Sequence, residues 1–188
     1  MNSRKIAVAG IVAAISFLLT FLEFPIFPAV SFLKFDPSDT LIGMLVLIYG
    51  WVPAFLAMTV KSLLFLLKSG NGGPIGILMN FIAGFIFISG FHFVRKFVIN
   101  NKELPAWIGY ILTSAVIGVV MCFLNYFIAL PVYLAVKPSE LDTFMRSGFG
   151  LGITDYFKFL FVFNLIKFTI DSILAHFIFK RSRNILNV

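Results

Sequence analysis

A few polar side chains stand inside otherwise apolar stretches, and their chemistry needs an explanation: Lys61, Lys167, Asp171, Asn80, Asn125, Asn164, His92 and His176. Charge within a bilayer is costly, so an ionisable group there needs a partner or a function. Lys167 and Asp171 are four apart and share a helix face, as do Asn164 and Lys167, three apart. One reading is an internal Lys167–Asp171 ion pair that sets packing. The other is a polar wall in which an amide and an ammonium point together into a bundle. Lys61 has a stem long enough to snorkel toward an interface. Asn80 and Asn125 suit interhelical hydrogen bonds. Several amides and a lysine on different helices also suit a neutral, polyfunctional small molecule.

Other chemistry lacks its parts. His92 and His176 have no second His or carboxylate at ligand spacing and read as structural. Cys122 is the single cysteine, so neither an intramolecular disulfide nor a cysteine metal site is available. HExxH, GxSxG and Walker A motifs are absent, which argues against an embedded hydrolase or a self-powered pump.

These residues must be positioned by membrane helices. The 188 residues are 60% hydrophobic and 12% charged, with a mean hydropathy of +1.02. A water-soluble surface cannot be built from so few charges. The net charge of +7 is concentrated in short runs at the ends of apolar segments, Arg4-Lys5, Arg95-Lys96 and Lys180-Arg181 with Arg183, which is an orientation signal. Ile6–Leu22 is read as a retained first helix, because no convincing cleavage site follows it. A loop rich in Pro and aromatics runs from Phe24 to Asp39. Leu41–Leu67 is too long for one crossing and is interrupted at Gly50-Trp51-Val52-Pro53. A Gly-rich turn, Ser69–Gly73, leads into Pro74–Val94. Pro105–Val136 and Tyr156–Phe179 follow, separated by a polar loop, Lys137–Asp155. Breaking Leu41–Leu67 into two places Arg95, Lys96 and Lys102 on the side of the N-terminus, as the positive-inside rule prefers. The expectation is therefore an all-α integral membrane protein, one domain over residues 1–188, with six transmembrane helices and both termini cytoplasmic. On the first helix, Ala9 with Ala13 and Gly10 with Ala14 are small-xxx-small pairs, suited either to packing within the bundle or to docking a partner.

Taken in order, several motifs resemble a known family. Phe24-Pro-Ile-Phe-Pro28 with Phe32-Leu-Lys-Phe-Asp-Pro-Ser-Asp39 resembles the first loop of the riboflavin-specific S component of energy-coupling factor (ECF) transporters. Gly70-Asn-Gly-Gly-Pro-Ile-Gly76, Asn125-Tyr-Phe-x-x-x-Pro131 and Phe163-Asn-Leu-Ile-Lys167 are similar to its later motifs. Pro37 departs from the pattern, where a bulkier residue is expected. The resemblance covers nearly the whole chain. It implies a multi-pass protein of the bacterial cell membrane that binds riboflavin from the outer face, with the first loop as a lid, and that hydrolyses nothing and carries no cofactor. It implies ligand contacts from Asn125, Asn164 and Lys167, joined by Asn80 and by Phe32, Leu33, Phe35 and Asp39 of the loop. It implies partners too, a membrane coupling protein (the T component) and two ABC-type ATPases, with Ala9 and Ala13 as the docking face, and no nucleic acid. An S component for another vitamin and a self-sufficient channel or carrier are the alternatives.

Overall fold

The computed structural model describes residues 2–68 and 73–186, the last four of these as backbone only. Most of the Gly-rich turn lies outside the described residues. Helix α1 covers Ser3–Leu19, started by the Asn2 side chain accepting from the Lys5 N–H. After it the chain folds into a small flap. β1 (Phe24–Pro25) pairs antiparallel with β2 (Lys34–Phe35), with a short 3₁₀ turn, Pro28–Val30, between them. A two-stranded ribbon is marginal by itself. Here Glu23 anchors it, accepting from Lys34 at 2.8 Å and from Lys68 at 2.8 Å.

α2 (Ser38–Tyr49) and α3 (Trp51–Phe65) are separate helices. The break is at Gly50, whose φ of 87° and ψ of −170° place it in a region reserved for glycine. Pro53 sits in the first turn of α3, where its missing N–H costs little. α2 is buried nearly all round, including Ile42, Leu45, Val46 and Leu47, by α1, α3, α4 and α8. A helix apolar on every side is enclosed either by other helices or by lipid, and α2 is enclosed by helices.

α4 covers Gly73–Ile99. α5 (Glu103–Leu124) continues through a π-helical turn, Asn125–Ala129, into α6 (Leu130–Leu134). Pro131 cannot donate to the carbonyl four residues back, and the Leu130 N–H bonds to Asn125 O, five back. α5 lies between α4 and α8. Gly90 lets α4 approach α5 closely: a Cβ there would collide with the Thr113 side chain.

The expected polar loop after Val136 is corrected by the structure, which forms a short helix there, α7 (Leu141–Phe149), stopped by Gly150 in the left-handed region. Asp142 in α7 accepts from the Ile153 N–H at 2.9 Å and so caps α8 (Ile153–Leu186). Three helical stretches, Gly73–Ile99, Glu103–Leu134 and Ile153–Ser182, are long and apolar enough to cross a bilayer core of about 30 Å. α2 and α3 are shorter apolar helices.

Candidate ligand-binding site

Helix α8 carries the site on one stripe. Tyr156, Leu160, Asn164, Lys167 and Asp171 recur at spacings of three or four, so they share a face, and all are buried. The stripe runs beneath the flap and along the start of α2.

At its centre is a chain of buried charges. Lys167 Nζ is 2.7 Å from Asp36 Oδ2, at the end of the flap, and 3.7 Å from Asp39 Oδ2, in the first turn of α2. Asp39 Oδ1 accepts from Lys61 Nζ of α3 at 2.6 Å, and Lys61 also donates to Ser38 Oγ at 3.1 Å. One turn along α8, Asp171 Oδ1 accepts from Thr40 Oγ1 at 2.7 Å. Asp171 Oδ2 has no hydrogen-bond partner among the described residues. Burial by itself would raise the Asp36 carboxyl. The ammonium of Lys167, and then that of Lys61, outweigh burial and hold it well below the usual carboxylate range.

Two expectations are corrected here. Lys167 pairs with Asp36 and Asp39 rather than with Asp171, although sequence spacing favours Asp171. Lys61 does not snorkel outward: it is 8% exposed and locked to Asp39. A carboxylate supplied from another helix offsets the cost that snorkelling would otherwise relieve.

A cavity of about 20 Å³ is lined by Thr20, Asp36, Asp39, Lys61, Asn80 and Lys167, among others. Lys167, Asp39 and Asn80 therefore meet at one place, Asn80 from an otherwise exposed position on α4. Phe35 is 6% exposed, and its ring centre is 5.9 Å from Lys167 Nζ. The other expected residues lie further along the stripe. Asn125, on the π turn, donates to Met121 O at 2.8 Å and accepts from Tyr156 OH at 3.0 Å. Phe32 stacks on Tyr156 with ring centres 6.0 Å apart, and Leu33 packs into the same cluster. Asn164 lies between the two groups and donates to Leu160 O at 2.8 Å. That bond leaves its amide a second N–H.

Asp36, Thr40, Ser38 and Tyr156 belong to the network but are not marked out in the sequence. Ala9 and Ala13 are both 0% exposed, packed within the bundle, whereas Gly10 and Ala14 face outward. His176 is held at 3.1 Å by Glu103 and at 3.1 Å by Tyr110, the carboxylate coming from another helix. No cluster of His, Cys, Asp or Glu among the described residues is suited to a metal ion. A larger open groove, about 750 Å³, lies at the opposite end of the bundle, near Lys5 and Arg95. It contains none of the expected ligand residues. The small cavity, where amide, ammonium and aromatic side chains converge, is the better candidate for the ligand.

Fold and site together define a helical integral membrane protein with a polar site enclosed near one end of its bundle. The chain belongs to the family described as ECF transporter, substrate-specific component, which it matches over residues 4–181. It is thus a transporter component and not an enzyme. Among curated relatives, the riboflavin transporter RibU of Streptococcus thermophilus is 33% identical, across 98% of this chain and 85% of its own length. The riboflavin transporter FmnP of Bacillus subtilis is 30% identical, across 95% and 92%. RibU of Staphylococcus aureus is 32% identical, across 98% and 93%. A solved chain reported under "Structure and mechanism of the S component of a bacterial ECF transporter" covers 100% of both chains, with a TM-score of 0.76 and 27% identity.

Proposed function

We propose that this chain is the high-affinity riboflavin-binding subunit of an ECF-type vitamin uptake transporter. The observation that carries the reading is nearly full-length similarity to several riboflavin transporters, combined with a polar stripe on α8 that suits a neutral flavin. Riboflavin has a planar ring with amide-like edges and a polyol tail. Phe35 and the Phe32–Tyr156 stack offer aromatic surface for the ring. Lys167 and the amides of Asn164, Asn125 and Asn80 offer donors and acceptors for its edges and tail. The ammonium–carboxylate pairs of the site are internally matched, which suits an uncharged ligand better than a phosphorylated one.

A ligand of this size needs a pocket of about 300 Å³ or more, far above the roughly 20 Å³ between Asp36 and Lys167. Entry therefore requires the flap, residues 24–37, to withdraw. That matches a lid that closes over the vitamin from the outer side. In this reading α1, α2, α3, α4, the α5–α6 unit and α8 make six crossings, with both termini in the cytoplasm. The basic ends Arg4-Lys5, Arg95-Lys96 and Lys180-Arg181 support that orientation. Transport is driven by a coupling protein and two ABC-type ATPases. With Ala9 and Ala13 committed to internal packing, the face of α1 that a coupling protein meets is the one bearing Gly10 and Ala14.

The test is the visible spectrum of the purified protein and its titration with riboflavin. Flavin absorbance, or saturable quenching of riboflavin fluorescence, is expected. A colourless protein that leaves the fluorescence unchanged refutes the proposal. Competition with other vitamins separates riboflavin from a sibling substrate.

A further inference from the structure

The groove of about 750 Å³ at the other end of the bundle has a consistent chemistry of its own. It is bounded by the start of α1, the α2–α3 break and the last turns of α4. Lys5, His92 and Arg95 line it, and no acidic side chain does. Among the described residues neither Lys5 nor Arg95 forms a salt bridge.

Arg95 is fixed in place. Its Nε donates to Leu47 O at 3.0 Å and an Nη to Ile48 O at 3.3 Å, covering carbonyls at the end of α2. A guanidinium has five N–H groups, so three remain for the groove. Lys5 Nζ lies 5.9 Å from the ring centre of Tyr49. The groove thus presents the fixed Arg95 guanidinium and the Lys5 ammonium with no acidic side chain in its lining, a positive hollow that attracts an anion.

Its rim is apolar. Phe93 is 73% exposed and Val52 58%. Trp51 donates from Nε1 to Ser89 Oγ at 3.3 Å and stacks on Phe55. Tryptophan and tyrosine at this level are the side chains of a membrane interface. A cationic hollow beside exposed apolar rings matches an amphiphile with an anionic head and acyl chains.

We infer that this groove holds the phosphodiester headgroup of an anionic phospholipid, with its acyl chains against Val52 and Phe93. Such a lipid would join α1 to α4 across the α2–α3 break, at the end of the protein remote from the vitamin site. The inference rests on the chain's being a membrane protein and is independent of which vitamin it binds.

The test is native mass spectrometry of the full chain released from micelles containing equal phosphatidylglycerol and phosphatidylcholine. Retention of phosphatidylglycerol over phosphatidylcholine is expected. Each headgroup-facing cation near a membrane surface contributes about fivefold in affinity. Lys5→Gln should therefore lower phosphatidylglycerol retention about fivefold, and Lys5→Gln with Arg95→Gln about 25-fold. Riboflavin quenching, read on the same samples, should not change. Because Arg95 also covers helix carbonyls, Lys5→Glu serves if the double variant fails to fold, and it should lose lipid selectivity. Equal retention of the two lipids, or unchanged retention in the Lys5 variants, overturns the inference. Displacement of the lipid by excess inorganic phosphate would assign the groove to a soluble anion instead. Lost assembly with the energising subunits at unchanged lipid retention would assign it to a protein partner.

Discussion

Lys167 of α8 and Asp36 of the flap, 131 residues apart in sequence, meet at 2.7 Å. This contact closes the candidate site: it ties the only stranded segment among the described residues to the helix that carries most of the polar stripe. It also explains how a lysine is tolerated deep in an apolar bundle. The flap supplies the counter-charge, and Asp39 adds a second carboxylate at 3.7 Å.

If the pair holds the flap down, Asp36→Asn should speed both entry and release of riboflavin. A hydrogen bond to a charged group is worth about 1.5–3 kcal/mol, so rate increases of about tenfold or more are expected. Stopped-flow quenching measures them. Rates equal to those of the unaltered protein would show that the flap moves without breaking this contact.

Lys167→Ala removes the ammonium from the proposed ligand site and leaves Asp36 without its partner, while Asp39 keeps Lys61 at 2.6 Å. Riboflavin affinity should fall about 10- to 100-fold, and Asn164→Ala should cost about tenfold. Fluorescence titration decides. Full affinity in both variants would place the ring elsewhere on the stripe.

The Lys61–Asp39 pair predicts a stability pattern. Both side chains are nearly buried and 2.6 Å apart. Removing one partner of a buried pair costs about 3–5 kcal/mol when the other charge is stranded; Asp39 keeps Lys167 at 3.7 Å, so the loss should lie at or below the low end of that range. Lys61→Met should therefore lower the melting temperature in detergent substantially. Lys61→Met with Asp39→Leu should recover much of the loss. Additive losses in the double variant would mean that the two residues do not act as a pair.

The acid limb of stability follows from Asp36. Its carboxyl is held below the usual range in the folded protein, against the pull of burial, by Lys167 and Lys61. The folded state thus binds its proton less readily than the unfolded chain does. The resulting stabilisation is fully present above about pH 4, the ordinary carboxylate value, and fades as pH falls below it. The stability difference between the unaltered protein and Asp36→Asn should be flat from pH 8 to about pH 4 and narrow below that. Narrowing already near pH 6 would contradict the assignment.

Much of the fold was legible because membrane helices advertise themselves by composition. The apolar runs and the break near Gly50 are local properties, and a local sequence contains them; the π turn at Asn125–Ala129, inside a stretch read as one span, came from the structure. The residue types of the site were legible for a related reason: a Lys, an Asp or an Asn inside an apolar run is conspicuous. Their partners were not. Lys167 has Asp171 one turn away, yet Asp36 and Asp39 take it, because the flap and α2 fold over the stripe. His176 finds Glu103 across the bundle. Lys61 looked free to reach an interface until α2 brought Asp39 beside it. Asp36 sits in a polar run where a carboxylate needs no explanation, so nothing marked it.

The sequence by itself thus determined a membrane protein, its apolar helices though not α7, the small-residue faces of α1 and a short roster of polar groups within apolar runs, of which Asn80 and His92 prove exposed. Hydrophobicity and helix period act over a few turns, and that range suffices for them. The tertiary structure alone decided which of those groups are paired, which side of α1 is spent on internal packing, and that Lys5 and Arg95 share a groove. Pairing in a low-dielectric interior depends on distances of a few ångströms between residues far apart in the chain, and only the packed bundle sets those distances.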